Sequence, residues 1–453
     1  HPYIRRRTGA EPVTYPHPLL EPVLERTLGI PLFQEQLMQM ATTVGNCTAA
    51  DADLLRRAMG SKRRVERIDS LCTKLFEGMA ANGIDDDTAQ GIYARIESFA
   101  NFGFAESHAL SFAGLVYTSA WIKLHYPAVF LAALLRSQPM GFYSSATLVA
   151  DARRHGVVTR RPDVARSSVG ADLELLDACC EELGSEELET GIDECLHDHD
   201  ESEIGAFDPN RDDGDHRRDT HFAVRLGLSD VSGISIETAT RIVEERERES
   251  FVSLDDLARR VDLSGEEVEA LALAGAFDDL VGSRRGALWQ IGQINGVAPG
   301  QLDVQVVTQP PLLPEPTQME LLGDDLRATS ISTTDHPVRQ VRDALNRRGV
   351  VQVDRLDGVE ARRRIEVAGV VTHRQRPGTA GGVTFLNLED ETGLLNVIVT
   401  PGAWRHYRRV ARTSRALVVR GILERGDEGV MSLQADRLEA LDLSVPTKSR
   451  DFR

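Results

Sequence analysis

From residue 363 the apolar residues change their spacing. Up to that point they recur every three or four positions; beyond it they alternate with polar ones. Five such runs follow: "RIEVAGVVTHRQRP", "GGVTFLNLEDETG", "LLNVIVTPG", "RALVVRGILERGDEG" and "VMSLQADRLEAL". A period of two places successive side chains on opposite faces of a strand, so each run predicts a strand with one face in a core. Between the third and fourth runs "AWRHYRRVART" has helical spacing.

Five strands with a helix in that position is the strand order of an oligonucleotide-binding (OB) barrel, predicted here over 356–445, with 446–453 as a tail. Alternation in "VTFLNLED" sets Leu386 and Leu388 inward and Val383, Phe385 and Asn387 outward. An exposed Phe on such a face can stack a base. Arg374 and Arg376, at the end of the first strand, are placed to meet phosphates beside it. Trp404 and Tyr407 are read as the packing face of the barrel helix. The carboxylates of "LEDETG" sit at a barrel turn and are expected to be solvated.

Charge supports a polyanion partner once it is located. The formal net charge is −18, but residues 171–220 hold 19 Asp/Glu against 3 Arg. Residues 361–420 hold 11 Arg against 4 Asp/Glu, a balance of +7. Basic modules suit polyanions, whereas the block 171–220, without sustained period, predicts a disordered acidic insertion. Its Cys179, Cys180, Cys195, His197 and His199 do not follow a zinc finger or ribbon spacing. Five cysteines in a chain of 453 residues do not form a disulfide framework and point to a reducing cytoplasm. No apolar run has the length of a membrane span, so "ALSFAGLVYTSAWIKLHYPAVFLAALL" is expected to be buried core helix.

Residues 1–135 read as helical. "HPLLEPVLERTLG" and "PLFQEQLMQMATTVG" are expected to stop at Gly29 and Gly45. "TAADADLLRRAMG" opens on Thr48 and Asp51 at capping-box spacing, with Leu54, Leu55, Ala58 and Met59 toward a core. A helix and connector follow over 136–170. Residues 221–295 predict paired helical hairpins, with "VSGIS" at a tight turn. There the amides around Ser232, Gly233 and Ser235 can hold a DNA phosphate without reading sequence. Residues 296–355 form a proline-rich linker and a short helix; "QMELL" (318–322) within it could dock in an apolar groove, but five residues match by chance often and are read first as linker.

The blocks "HPLLEPVLERTLGIPLFQEQLMQMA", "ADLLRRAMGSK" and "FANFGFAESHALSFAGLVYTSAWIKLHYPAVFLAALL" resemble the C-family bacterial replicative polymerases, the DNA polymerase III alpha subunits. "QPMGFYS" and "LALAGAFD" are most similar to the damage-inducible, error-prone branch. The resemblance implies a multidomain α+β chain of polymerase fingers (1–135), helix-hairpin-helix unit and C-terminal OB barrel. It implies nucleotide contacts from Arg56, Arg57, Lys62 and His108. It also implies that template-primer DNA, single-stranded DNA and a deoxynucleoside triphosphate are partners. The catalytic Mg²⁺ would be held by palm aspartates upstream of this chain, which would then bind no metal and extend no primer alone. A sliding clamp or accessory mutagenesis proteins stay open as further partners. So do two other readings: a stand-alone nucleic-acid-binding module, and an adapter acting through the insertion and linker.

Overall fold

In a computed structural model the described residues are 1–59, 64–99, 104–141, 143–176, 213–294, 313–378, 380–426, 429–443, 445 and 450–452. They form two units, His1–Ala120 and Trp121–Arg453.

The first unit is helical: α1 (Gln34–Gly45), α2 (Ala49–Met59), α3 (Arg64–Ala81), α4 (Asp86–Phe99) and the start of α5 (Glu106–His125). Its core is Leu20, Leu24, Leu37, Met40, Val44, Leu75, Met79, Ile92 and Ile96. The Thr48–Asp51 box forms as expected: the Thr48 amide donates to Asp51 Oδ2 at 2.8 Å and the Asp51 amide to Thr48 Oγ1 at 3.3 Å. Gly45 does not terminate α1 as a left-handed cap. That conformation falls on Asn46 (φ 47°), and Gly45 instead lets α3 approach. A Cβ on Gly45 would lie 2.5 Å from Leu75 Cδ2, and one on Gly78 would lie 2.0 Å from the Gly45 carbonyl oxygen. The two glycines therefore make a contact in which one backbone rests on another.

Two expectations for this unit fail. Leu54 is 39% exposed, outside the core. The apolar helix α5 is not buried: Leu110, Phe112, Leu115, Val116 and Tyr117 are 52–80% exposed. Its apolar residues lie on opposite sides rather than in one stripe, so a single packed layer could not cover them. The second half of the same apolar stretch is buried as expected, with Ala128, Leu131, Ala132 and Leu135 in the core.

In the second unit α6 (Pro127–Arg136) and α7 (Ser145–Arg154) pack on a small sheet of β1 (Thr159–Arg160), β2 (Asp172–Leu175) and β3 (Phe222–Arg225). The middle strand is β3, parallel to β1 and antiparallel to β2. Both ends of the acidic block 171–220 thus belong to the fold. Asp172–Leu175 is a strand, and Asp219 is buried, where its Oδ2 accepts from the Ala128 and Val129 amides at the start of α6. The middle of the block, 177–212 with its cysteines, lies outside the described residues.

The hairpin unit comprises α8 (Ile236–Arg248), α9 (Leu254–Val261), α10 (Gly265–Leu273) and α11 (Arg284–Ile294) around Leu257, Leu271 and Phe277. "QMELL" is not an exposed linker segment. It begins α12 (Gln318–Ala328), capped by Thr317 and Glu320, and Leu322 is buried at 1% exposure. Arg284 pairs with Asp325 under this helix, both buried. A short helix α13 (Arg342–Arg348) leads to the barrel.

The barrel strands are β4 (Arg364–Gln375), β5 (Thr384–Glu389), β6 (Leu394–Val399), β7 (Ala416–Arg425) and β8 (Met431–Ala440). β5 pairs with both β6 and β4, which closes the order β4–β5–β6–β8–β7–β4. Inward Val367, Val371, Leu386, Leu388, Val397, Val419 and Leu433 fill it. α14 (Pro401–His406) and α15 (Arg408–Thr413) close one end, with Trp404 and Tyr407 against the core as expected. Part of the tail is ordered: β9 (Arg450–Phe452) adds parallel to β4.

Candidate nucleic-acid interface

The outward residues of β4, β5, β6 and β8 fall into two rows set by register. Gln375 pairs with Phe385, Phe385 with Ile398, and Ile398 with Gln434. Beside it His373 pairs with Asn387, Asn387 with Asn396, and Asn396 with Ser432. Directly opposed residues share a face, and every one of these eight is exposed or half-buried while the residues between them are buried. The face is therefore one aromatic ring and an aliphatic side chain among four carboxamides, a hydroxyl and an imidazole. Carboxamides carry both donors and acceptors, as base edges do, and Phe385, 38% exposed, offers a stacking surface.

Phe385 and Asn387 point outward, and Leu386 and Leu388 inward, as alternation predicts. Arg374 is not on this face. A register shift between Val371 and His373 reverses the parity at the end of β4, turning His373 and Gln375 outward and Arg374 in. Arg374 is 7% exposed; its Nε donates to Ala411 O at 2.9 Å and its Nη2 to Ser414 O. These carbonyls close the barrel helix, where a cation also meets the negative end of the helix dipole. Its role is structural. Arg376 is exposed, with its guanidinium 5.5 Å from the Trp404 ring centroid. Asn396 and Gln434 were legible by alternation in "LLNVIV" and "VMSLQ"; Gln375 and His373 were hidden by the bulge.

The "LEDETG" carboxylates are buried rather than solvated. Glu389 is 6% exposed and accepts from Arg154 Nη1 at 3.2 Å; Asp390 is 1% exposed and accepts from Arg342 Nη2 at 3.1 Å. Asp390 also takes the Val353, Thr392 and Gly393 amides, and Glu391 takes Arg342 Nη2 at 2.9 Å. The turn is a clasp fastening the barrel to α7 and α13, and it holds the strand face in place.

Burial pushes Glu389 up to about 7 despite Arg154, and burial pushes nearby His336 down to about 4. The two act oppositely on stability. Glu389 binds its proton more tightly when folded, so its contribution is present at low pH and is lost as pH rises through about 7. His336 contributes above its unfolded value of 6.5 and loses that as pH falls through about 4. Between pH 4.5 and 6.5 the slopes offset. Glu389→Gln removes one of them, so the unfolding free energy of the variant from urea titrations, relative to wild type, should climb across that window, by a total on the order of 3 kcal/mol.

At the hairpin, Gly233 has φ +95° and Ser235 caps α8, its Oγ accepting from the Thr238 amide at 3.0 Å. Ser in place of a second Gly is thus explained by capping. Ser232 cannot offer its amide, which donates to Ala328 O at 2.7 Å. The Gly233, Ser235 and Ile236 amides make no hydrogen bond to a described residue, and all three residues are exposed. Glu237 stands beside them, its carboxyl held low by its own amide and by Ser235.

Of the residues implied for nucleotide contact, Arg56 and Arg57 lie in α2, but their side chains, and Lys62 entirely, fall outside the described residues. His108 is exposed in the first turn of α5, its ring 4.4 Å from Phe112 and 6.4 Å from Phe104 between centroids. Glu35 caps that turn, accepting from the Glu106 and Ser107 amides at 3.0 and 3.4 Å. Burial opposes its ionisation, but these donors outweigh it and hold the Glu35 carboxyl low. Glu106 pairs with Arg26 at 2.5 Å, which offsets its charge next to His108. Among the described residues no cluster of His, Cys, Asp and Glu could hold a metal, and no helix is long and apolar enough to cross a membrane.

Known proteins divide the chain in the same way. Residues 1–83 match the bacterial DNA polymerase III alpha subunit finger domain, 156–287 a helix-hairpin-helix motif, and 365–441 an OB-fold nucleic acid binding domain. Finger, hairpin and barrel in one chain define its class: it belongs to the bacterial DNA polymerase III alpha family. Within it, the chain is similar from end to end to error-prone DNA polymerases. It is 98% identical over 453 residues to that of Cutibacterium acnes and 47% identical over 456 residues to that of Mycolicibacterium paratuberculosis. It covers 40% and 38% of those two proteins, well under half of their length. Among solved structures, asparaginyl-tRNA synthetase from Pyrococcus horikoshii aligns with 18% of this chain and 20% of its own, with 20% identity and a TM-score of 0.16.

Proposed function

We propose that this chain is the nucleotide- and DNA-gripping portion of an error-prone DNA polymerase working in the cytoplasm. The whole enzyme extends a primer 3′-OH with deoxynucleoside triphosphates, across damage. Phosphoryl transfer of this kind depends on positioning and on neutralising charge. The fingers unit supplies the cations, Arg56 and Arg57 at the end of α2 together with Lys62, for the triphosphate, and His108 stands at the head of α5. The Gly233–Ile236 hairpin offers amides to duplex phosphates. The barrel holds single-stranded template, with a base on Phe385 and base edges on Asn387, Asn396 and Gln375. Mg²⁺ chemistry is assigned to carboxylates in the part of the polymerase outside this chain.

The observation that carries the barrel's role is the two-row outer face, where the exposed Phe385 sits among carboxamides. Base–aromatic stacking is worth about 1–3 kcal/mol, so Phe385→Ala should weaken binding of a fluorescent oligothymidine by roughly 5- to 150-fold. Its salt dependence should not change, because no phosphate contact is removed. Unaltered affinity would show that bases do not lie on this face.

A further inference from the structure

The barrel helix carries a feature that the strand face does not use. Arg405, Arg408, Arg409 and Arg412 recur at i, i+3, i+4 and i+7, which sets them in one stripe along α14 and α15. The opposite side of the same segment carries Ala403, Trp404, Tyr407, Val410 and Ala411, which pack on the barrel core. The stripe therefore has to face solvent, and all four arginines are exposed.

Several other surface arginines around the barrel have carboxylate partners. Arg348 meets Glu366 and Glu439, Arg364 and Arg420 share Asp436, and Arg437 meets Glu439. The four stripe arginines make no ion pair with any described residue. Four like charges within about 10 Å of helix axis repel one another, and a ligand of opposite charge removes that cost. Guanidinium groups spaced along a line match a line of phosphates better than a single anion.

The stripe is also connected to the base-binding face. Arg376 leaves the end of β4 beside Gln375 and rests on Trp404 in α14. A strand lying on Phe385 can pass Arg376 and continue along the helix.

We propose that Arg405, Arg408, Arg409 and Arg412 form a phosphate track for single-stranded DNA leaving the strand face of the barrel. This rests on the barrel's reading as a single-strand site, and the test separates the two. Binding of oligothymidine to the 453-residue chain is measured at several NaCl concentrations. For single strands each neutralised phosphate adds about 0.7 to the slope of log affinity against log salt. The triple variant Arg405→Ala, Arg408→Ala, Arg412→Ala should flatten that slope by about 2. The matching triple lysine variant should keep it, with thermal melting showing both are folded. Flattening by the alanine variant with Phe385→Ala silent would leave the track standing and remove the base platform. An unchanged slope in a folded alanine triple would overturn the track, whatever Phe385→Ala does.

Discussion

Gly78→Ala is expected to lower the melting temperature of the His1–Ala120 unit by roughly 9–18 °C, the shift that about 3 kcal/mol produces in a domain of about 120 residues. The added Cβ would meet the Gly45 oxygen at 2.0 Å, its carbonyl carbon at 2.2 Å and its Cα at 2.8 Å. All three are backbone atoms inside α1, so relief requires the two helices to part. Overpacking of a well-filled core costs about 1–3 kcal/mol and more where backbone must move. Alanine recovers only about 1 kcal/mol of helix propensity. Gly45→Ala is the internal comparison. Its Cβ would meet Leu75 Cδ2, the end of a side chain that can turn, so the smaller loss belongs there. Equal losses from the two substitutions would show that the helices do not cross on these glycines.

The second large effect concerns the clasp. Arg342→Ala should destabilise the second unit by about 3–5 kcal/mol in urea titrations, because it strands Asp390 and Glu391 without their cation. Asp390 is 1% exposed and cannot recover solvation in place. It keeps only the amide donors of Val353, Thr392 and Gly393. Adding Asp390→Asn and Glu391→Gln to Arg342→Ala should recover part of the loss. A single variant as stable as wild type would mean that the arginine contributes no net stability there.

What the sequence could and could not disclose follows from the range of the interactions involved. Alternation along β5 is local, and it placed Phe385, Leu386, Asn387 and Leu388 correctly. The Thr48–Asp51 cap is local too, and it formed. The errors all involve partners far along the chain. "LEDETG" looks like a solvated turn until Arg154 and Arg342, 235 and 48 residues away, close over it. Arg374 looks like a phosphate ligand until a bulge reverses its direction. Gly45 ends α1 as expected, but its backbone contact with Gly78 was not legible locally. Of the apolar stretch expected in a core, Ala128, Leu131, Ala132 and Leu135 are buried, whereas Leu110, Phe112, Leu115, Val116 and Tyr117 of α5 are exposed. The arginine stripe was visible in "AWRHYRRVART", and the packing of Trp404, Tyr407 and Ala411 on the core sets it toward solvent.

The central claim is that this chain grips nucleotide and DNA for a reaction whose metal-binding acids lie elsewhere in the polymerase. The direct measurement is extension of a labelled primer-template with Mg²⁺ and all four deoxynucleoside triphosphates. The 453-residue chain alone should add no nucleotide, and a full-length polymerase containing it should extend the primer. Extension by the chain alone would contradict the account.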